Sequence, residues 1–266
     1  MNVQEGWLYW PYIVSMVLLG ILVGRAINLA ANIFPTGRWQ SAQATRCCHA
    51  HQRAIAYIWL TFLAYPFHRV GCECCHSLLL QGPRVVEFGT GFLFGLVSYH
   101  FNVTMATAVP LIYMSIFVLI STMDMKNRLV PNKVVYPATV LVFLLFPISQ
   151  IASDKSIWEL YLVSIEGGVA SFLILLFIYL ASSGDVGAGD VKLGALIGAA
   201  TGFPLVLGSL ALAFVTGGVA ALLLVVLKAR GLKDHMPYAP CLAGAAVISL
   251  LLGENITEWY QALFKQ

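Results

Sequence analysis

The sequence predicts an all-α integral membrane protein of about eight transmembrane helices, with a small cytoplasmic, zinc-binding-like insert between the first two. Three observations lead there. Hydrophobic residues fill 59% of the 266 positions and charged ones only 10%, with a mean hydropathy of +0.83, whereas soluble domains carry about 25% charge. Apolar runs near the ~20 residues that a helix needs to cross the hydrocarbon core recur along most of the chain. Lys and Arg gather in alternate connections between those runs. Lipid cannot pair free backbone N–H and C=O groups, so the spans are expected to be helices.

In chain order the apolar spans fall at 7–33, 85–101, 103–122, 134–151, 158–181, 191–202, 204–227 and 239–252. No Lys or Arg precedes the first, and its run is too long for the core of a cleavable leader, so residues 1–33 read as a retained anchor. Residues 34–84 form the one sizeable polar segment, within which 54–67 is apolar enough to lie along the membrane surface. Residues 85–266 then form the polytopic domain. Its sixth span is short and rich in glycine, and must either sit among protein neighbours or be extended by the residues before it. Gly194, Gly198 and Gly202 recur every fourth residue there, the spacing of close helix packing.

Orientation follows from the basic residues. With the amino terminus outside, Arg38, Arg46, Arg53, Arg69 and Arg84 face the cytoplasm, and so do Lys126, Arg128, Lys133, Lys192, Lys228, Arg230 and Lys233. Those are twelve of the 15 Lys and Arg. The net charge of +3 thus reads as membrane topology, with no basic face of the kind that binds nucleic acid.

Ionisable groups near a bilayer are costly and point to function first. Asp124 follows the third span and Asp190 opens the sixth, with an even number of crossings between them, so both emerge on the cytoplasmic face. Two carboxylates brought together there can share one proton, because neighbouring like charges resist double ionisation. One can then act as base on a water while the other protonates a peptide carbonyl. Gly187 and Gly189 allow close backbone approach beside Asp190, and Lys192 follows on the same helix. Each piece also has a plain reading. Taken singly, either aspartate reads as a helix cap, Lys192 as a simple ion-pair partner, and Asp185 as a solvated loop charge. Arg25 and Glu166 lie within spans at different expected depths, and Cys241 reads as a small packing residue.

Cysteines make the second constellation. Cys47, Cys48, Cys72, Cys74 and Cys75 lie in the insert, on the reducing side of the membrane, where metal binding explains thiols better than disulfides do. Cys48-x2-His51 followed by Cys72-x2-Cys75 has the two-knuckle spacing of a structural Zn²⁺ site, with Cys48, His51, Cys72 and Cys75 as ligands. The plain reading is a degenerate insert with leftover thiols.

Together, Asp124 with the residues that follow it to Asn132, the string Gly187-Ala188-Gly189-Asp190-Val191-Lys192-Leu193, and Pro237-Tyr238-Ala239-Pro240 resemble the type IV prepilin peptidases, a GxGD-type aspartic protease family. Gly20, Gly24, Asn28 and Pro35 match that family's first-helix pattern, and Arg84-Val85-Val86-Glu87 its second-helix opening. The resemblance runs over nearly the whole chain. It implies a multi-pass enzyme of the bacterial inner membrane that removes the leader of type IV prepilins or pseudopilins, cutting after Gly just before an apolar helix. It assigns catalysis to Asp124 and Asp190, with no cofactor needed for proteolysis. It also associates the insert with S-adenosylmethionine-dependent methylation of the new amino terminus. The family's insert carries two CxxC pairs, and here the first departs, with His51 in place of its second cysteine when aligned from Cys48.

Two other classes compete. A proton-coupled transporter would place its acids near the midplane of broken helices, whereas these lie at span ends. A membrane thiol oxidoreductase would carry a CxxC pair on the oxidising side, whereas these thiols lie on the basic, reducing side.

Overall fold

The computed structural model describes residues 9–33, 84–101, 107–127, 130–150, 155–182, 187–227 and 238–264. They form eight α-helices: α1 (Tyr9–Ile33), α2 (Arg84–Phe101), α3 (Ala108–Asn127), α4 (Asn132–Ser149), α5 (Ile157–Ala181), α6 (Ala188–Thr201), α7 (Leu205–Val226) and α8 (Ala239–Phe264). Cys48, His51, Cys72, Cys75 and the rest of 34–83 lie outside the described residues, as does Asp185.

Five of these helices are long and apolar enough to cross a membrane: α1, α3, α4, α5 and α7. The other three of the eight expected spans fall short of that length or apolar character, each for its own reason. α2 carries Arg84, Glu87 and His100, which dilute its apolar character. The apolar part of α8 ends at Gly253. α6 has 14 residues, about 21 Å at 1.5 Å per residue, against a hydrocarbon core of about 30 Å.

The short α6 is enclosed by protein, as its length requires. Asp190, Val191, Leu193, Gly194 and every residue from Leu196 to Thr201 are buried, and the helix packs against α4, α5, α7 and α8. Its contact with α5 is made by small residues. A Cβ on Gly198 would collide with the Gly167 carbonyl, and one on Gly194 with Leu175 and Ser171. Ser164 donates a hydrogen bond to the Ala199 carbonyl at 2.8 Å. Backbones this close gain dispersion where lipid offers no hydrophobic drive between helices. The expected glycine packing face is present. Gly202, at φ 72°, ends α6, and the next N–H, of Phe203, donates to the Val163 carbonyl at 3.0 Å. Val163 lies six residues into α5, so α6 stops roughly 9 Å short of that end of the longer helix.

α1 and α2 pack in the same manner, since a Cβ on Gly20 would lie 2.8 Å from Gly91 Cα and one on Gly24 2.8 Å from Glu87 Cα. α3 is the other interior helix. Tyr113, Met114, Phe117 and Ile120 are fully buried, in one apolar cluster with Val135 and Val142 of α4, Leu193 and Leu196 of α6 and Leu242 of α8. Tyr113 also donates to the Val142 carbonyl at 2.9 Å. α5 and α7 by contrast expose large apolar side chains such as Leu162, Phe177, Val215 and Leu222. That distribution suits helices facing lipid tails, which are as apolar as Leu.

Candidate active site

Three chain-distant segments meet at one end of the interior helices. α3 brings Asp124 in its last turn, the start of α6 brings Asp190, and the start of α8 brings backbone N–H groups. The third helix runs five residues beyond the expected end of its span, so Asp124 lies inside it and does not follow it. A carboxylate can remain there because protein covers it: Asp124 is 6% exposed and its Oδ2 accepts the backbone N–H of Ala239 at 3.2 Å. That bond crosses 115 residues of sequence.

Asp190 is 9% exposed. It was expected to cap the sixth helix, but the helix starts two residues earlier, with Gly187 at the cap. Asp190 is the third helical residue, and its Oδ2 reaches back to accept the Gly187 N–H at 3.3 Å. This is the acidic half of a capping box, with negative charge at the positive end of the helix. Burial nevertheless pushes the Asp190 carboxyl up to about 6, the Asp124 charge pushes in the same direction, and the Gly187 N–H opposes both. Asp124 is therefore near enough to act on the protonation of Asp190.

The supporting residues divide. Gly187 supplies the N–H just described. Gly189 is required by close approach: a Cβ there would sit 2.9 Å from Cβ of Val130, in the segment after α3. Lys192 is held by α4. Its Nζ donates to Asn132 Oδ1 at 2.8 Å and lies 5.6 Å from the centre of the Tyr136 ring, so it ties α6 to the start of α4. Arg25 and Glu166, on α1 and α5, belong to other helices than those bearing the carboxylates. Among the described residues no group of three or more His, Cys, Asp or Glu is arranged to hold a metal ion.

Two features had no signal in the residues taken one by one. One is the Ala239 N–H on Asp124, a backbone group that any non-proline residue would supply. The other is Tyr238. Its carbonyl accepts the N–H groups of Cys241 and Leu242, at 3.0 and 3.2 Å, which starts α8. Its ring stacks on Phe214 with centroids 6.3 Å apart and presses on Gly217, where a Cβ would lie 2.5 Å from the ring edge. Its phenol is pushed above its ordinary range by burial, then by the neighbouring Cys241 and Asp190.

The segment that carries both carboxylates is also the one that known proteins share. Residues 111–222 match the Type IV leader peptidase family. Over that segment the chain is similar to the family. Its match to the prepilin leader peptidase/N-methyltransferase of Bacillus subtilis is 22% identical and covers 92% of this chain and 96% of the relative. The proteins of the same description from Stutzerimonas stutzeri and Pseudomonas aeruginosa are 23% and 24% identical, each over 94% of this chain and 93% of the relative. No solved structure matches the chain. The family stretch runs from α3 into α7 and so includes Asp124, Gly187, Gly189, Asp190 and Lys192, while the coverage of the relatives extends to the insert and to α8. The chain is thus similar to a family of leader peptidases and carries helices suited to a lipid bilayer.

Proposed function

We propose that Asp124 and Asp190 form a two-carboxylate catalytic unit that removes the leader of a type IV prepilin or pseudopilin at the cytoplasmic face of the inner membrane. The observation that carries the reading is a pair of carboxylates, each under a tenth exposed and each accepting a backbone N–H, at one end of the interior helices and inside the matched segment. The names of the relatives supply the substrate class.

The environments divide the roles. Asp190, with its carboxyl raised to about 6, holds the shared proton and is the acid. Asp124, which accepts the Ala239 N–H, is the base on this reading. The oxygen of a water bonds to the scissile carbonyl carbon, the water gives a proton to Asp124, and Asp190 protonates the carbonyl oxygen. The carbon–nitrogen bond then breaks, the leaving amine takes the proton from Asp124, and the second hydroxyl returns one to Asp190. The pair begins and ends with one proton.

The cytoplasmic orientation rests on the distribution of the basic residues, which also opposes a thiol oxidoreductase. The position of both carboxylates at helix ends opposes a midplane proton carrier. Methylation of the new amino terminus with S-adenosylmethionine belongs to residues 34–84 on this reading, as do the zinc ligands Cys48, His51, Cys72 and Cys75. Metal analysis of purified protein tests the latter. About one zinc per chain, lost on Cys72→Ser with Cys75→Ser, is expected from a four-ligand site.

Cleavage of a pilin precursor by purified full-length protein in detergent tests the central reading. Asp124→Asn and Asp190→Asn should each abolish shortening of the precursor, and the double variant should be hardly worse than either. Asp185→Asn should keep substantial activity. A well-expressed single Asn variant that still cleaves removes the two-carboxylate mechanism.

A further inference from the structure

Tyr238 sits between the two carboxylates in the chain's wiring. The residue after it gives its N–H to Asp124, and its own phenol feels the charge of Asp190. Its hydroxyl is buried and has no hydrogen-bond partner among the described residues. A hydroxyl hidden from water in this way is costly unless it gains a partner at some stage of the protein's work. The ring has little freedom to seek one elsewhere, being stacked on Phe214 and set against Gly217, whose missing Cβ leaves the room it occupies. Phenylalanine would fill that room equally well, so packing does not account for the oxygen.

We propose that the Tyr238 hydroxyl donates a hydrogen bond to the carbonyl oxygen of the peptide bond that Asp124 and Asp190 cut, and holds that oxygen as it gains negative charge. The inference rests on the two-carboxylate reading above. In the attack step the water oxygen bonds to the carbonyl carbon, Asp124 takes the water's proton, and the carbonyl π electrons move onto oxygen. That oxygen receives the Asp190 proton while accepting the Tyr238 hydrogen bond. Tyr238 keeps its own proton throughout, in keeping with a phenol whose ionisation burial and the neighbouring Asp190 disfavour. A donor fixed before the charge develops needs no rearrangement when it does, which is how such groups accelerate acyl chemistry.

The experiment measures kcat and KM of purified full-length protein on a pilin precursor, beside thermal unfolding in detergent. Tyr238→Phe should lower kcat roughly 100-fold, the scale of losing one such donor. KM should stay within about two-fold, because the bond strengthens only in the transition state. The unfolding temperature should not fall, since an unpartnered buried oxygen has been removed. Gly217→Ala, which crowds the ring while keeping the hydroxyl, should lower kcat in the Tyr protein and add almost nothing in the Tyr238→Phe protein. A Tyr238→Phe enzyme with kcat within about three-fold of the parent, or a loss confined to KM, overturns the inference. If Asp190→Asn is inactive in the same assay, the two-carboxylate reading survives that result. If Asp190→Asn still cleaves, that reading falls and this inference falls with it.

Discussion

Asp190→Asn should kill the enzyme and stabilise the protein, and the second effect should depend on pH. The folded state holds the Asp190 proton with a value of about 6, against an ordinary 3.8. Between those two values the folded chain binds the proton more tightly than the unfolded one, so stability falls as pH rises through that window. The shift of about two units corresponds to roughly 3 kcal/mol at pH 8, taking about 1.4 kcal/mol per unit. About half of that penalty is already present at pH 5 and little below pH 4. Asn removes the charge and keeps an oxygen for the Gly187 N–H, and Asn serves helix starts about as well as Asp does. The variant should therefore unfold several degrees higher than the parent at pH 8, with a visibly smaller gain at pH 5. The assay is thermal unfolding of both proteins in one detergent at the two pH values, with precursor cleavage measured on the same samples. A helix-cap role alone predicts no gain at either pH. A gain of equal size at pH 5 and pH 8, or a loss at pH 8, refutes the electrostatic account.

Other outcomes follow from the same geometry. Cleavage by the parent enzyme should decline as pH rises through about 6, where Asp190 gives up the proton it donates, measured as kcat/KM across pH. Gly189→Ala puts a Cβ 2.9 Å from that of Val130, an overpacking of about 1–3 kcal/mol, and should cut precursor cleavage about ten-fold or more; Val130→Gly in the same chain should restore part of it. Lys192→Met breaks the bond to Asn132 and should cost about 1 kcal/mol of stability, half-exposed as it is, while leaving the pH dependence of cleavage in place. Reporter fusions after Arg53, Arg128 and Lys233 should all read cytoplasmic, and a periplasmic signal from the first two would reverse the orientation.

Much of the architecture was legible because lipid imposes it. Apolar length and the spacing of charge locate α1, α4, α5 and α7 within a few residues. The glycine repeat at 194, 198 and 202 announces the close contact of α6 with α5. Crossing number was less legible. Hydropathy sees a run of apolar residues in α6 but does not distinguish a helix that meets lipid from one enclosed by protein. Helix ends were legible only approximately, because the cover over Asp124 comes from Ala239, a residue with no chemical mark of its own. For the same reason the sequence does not reveal that Lys192 bonds to Asn132, since position on a helix says little about which group a long side chain reaches. Tyr238 was visible only as part of a Pro-rich string.

The short interior helix connects the fold to the chemistry. A two-carboxylate mechanism needs its groups placed to a fraction of an ångström, yet Asp190 sits in the first turn of a helix that opens on Gly187-Ala188-Gly189. Its position is therefore set from the other end. The backbone contact of Gly198 with Gly167, the Ser164 bond to Ala199 and the Phe203 bond to Val163 fix how deep α6 goes between its neighbours. Lys192 with Asn132, and Gly189 against Val130, then fix its rotation and its distance from the end of α3. Asp124 is held by a different set, through the buried face of α3 and the Ala239 N–H from α8. Both carboxylates thus refer to one packed interior, which explains how the Asp124 charge can be held within reach of Asp190. The packing that makes α6 too short and too glycine-rich for lipid is what allows it to deliver an acid to a buried partner.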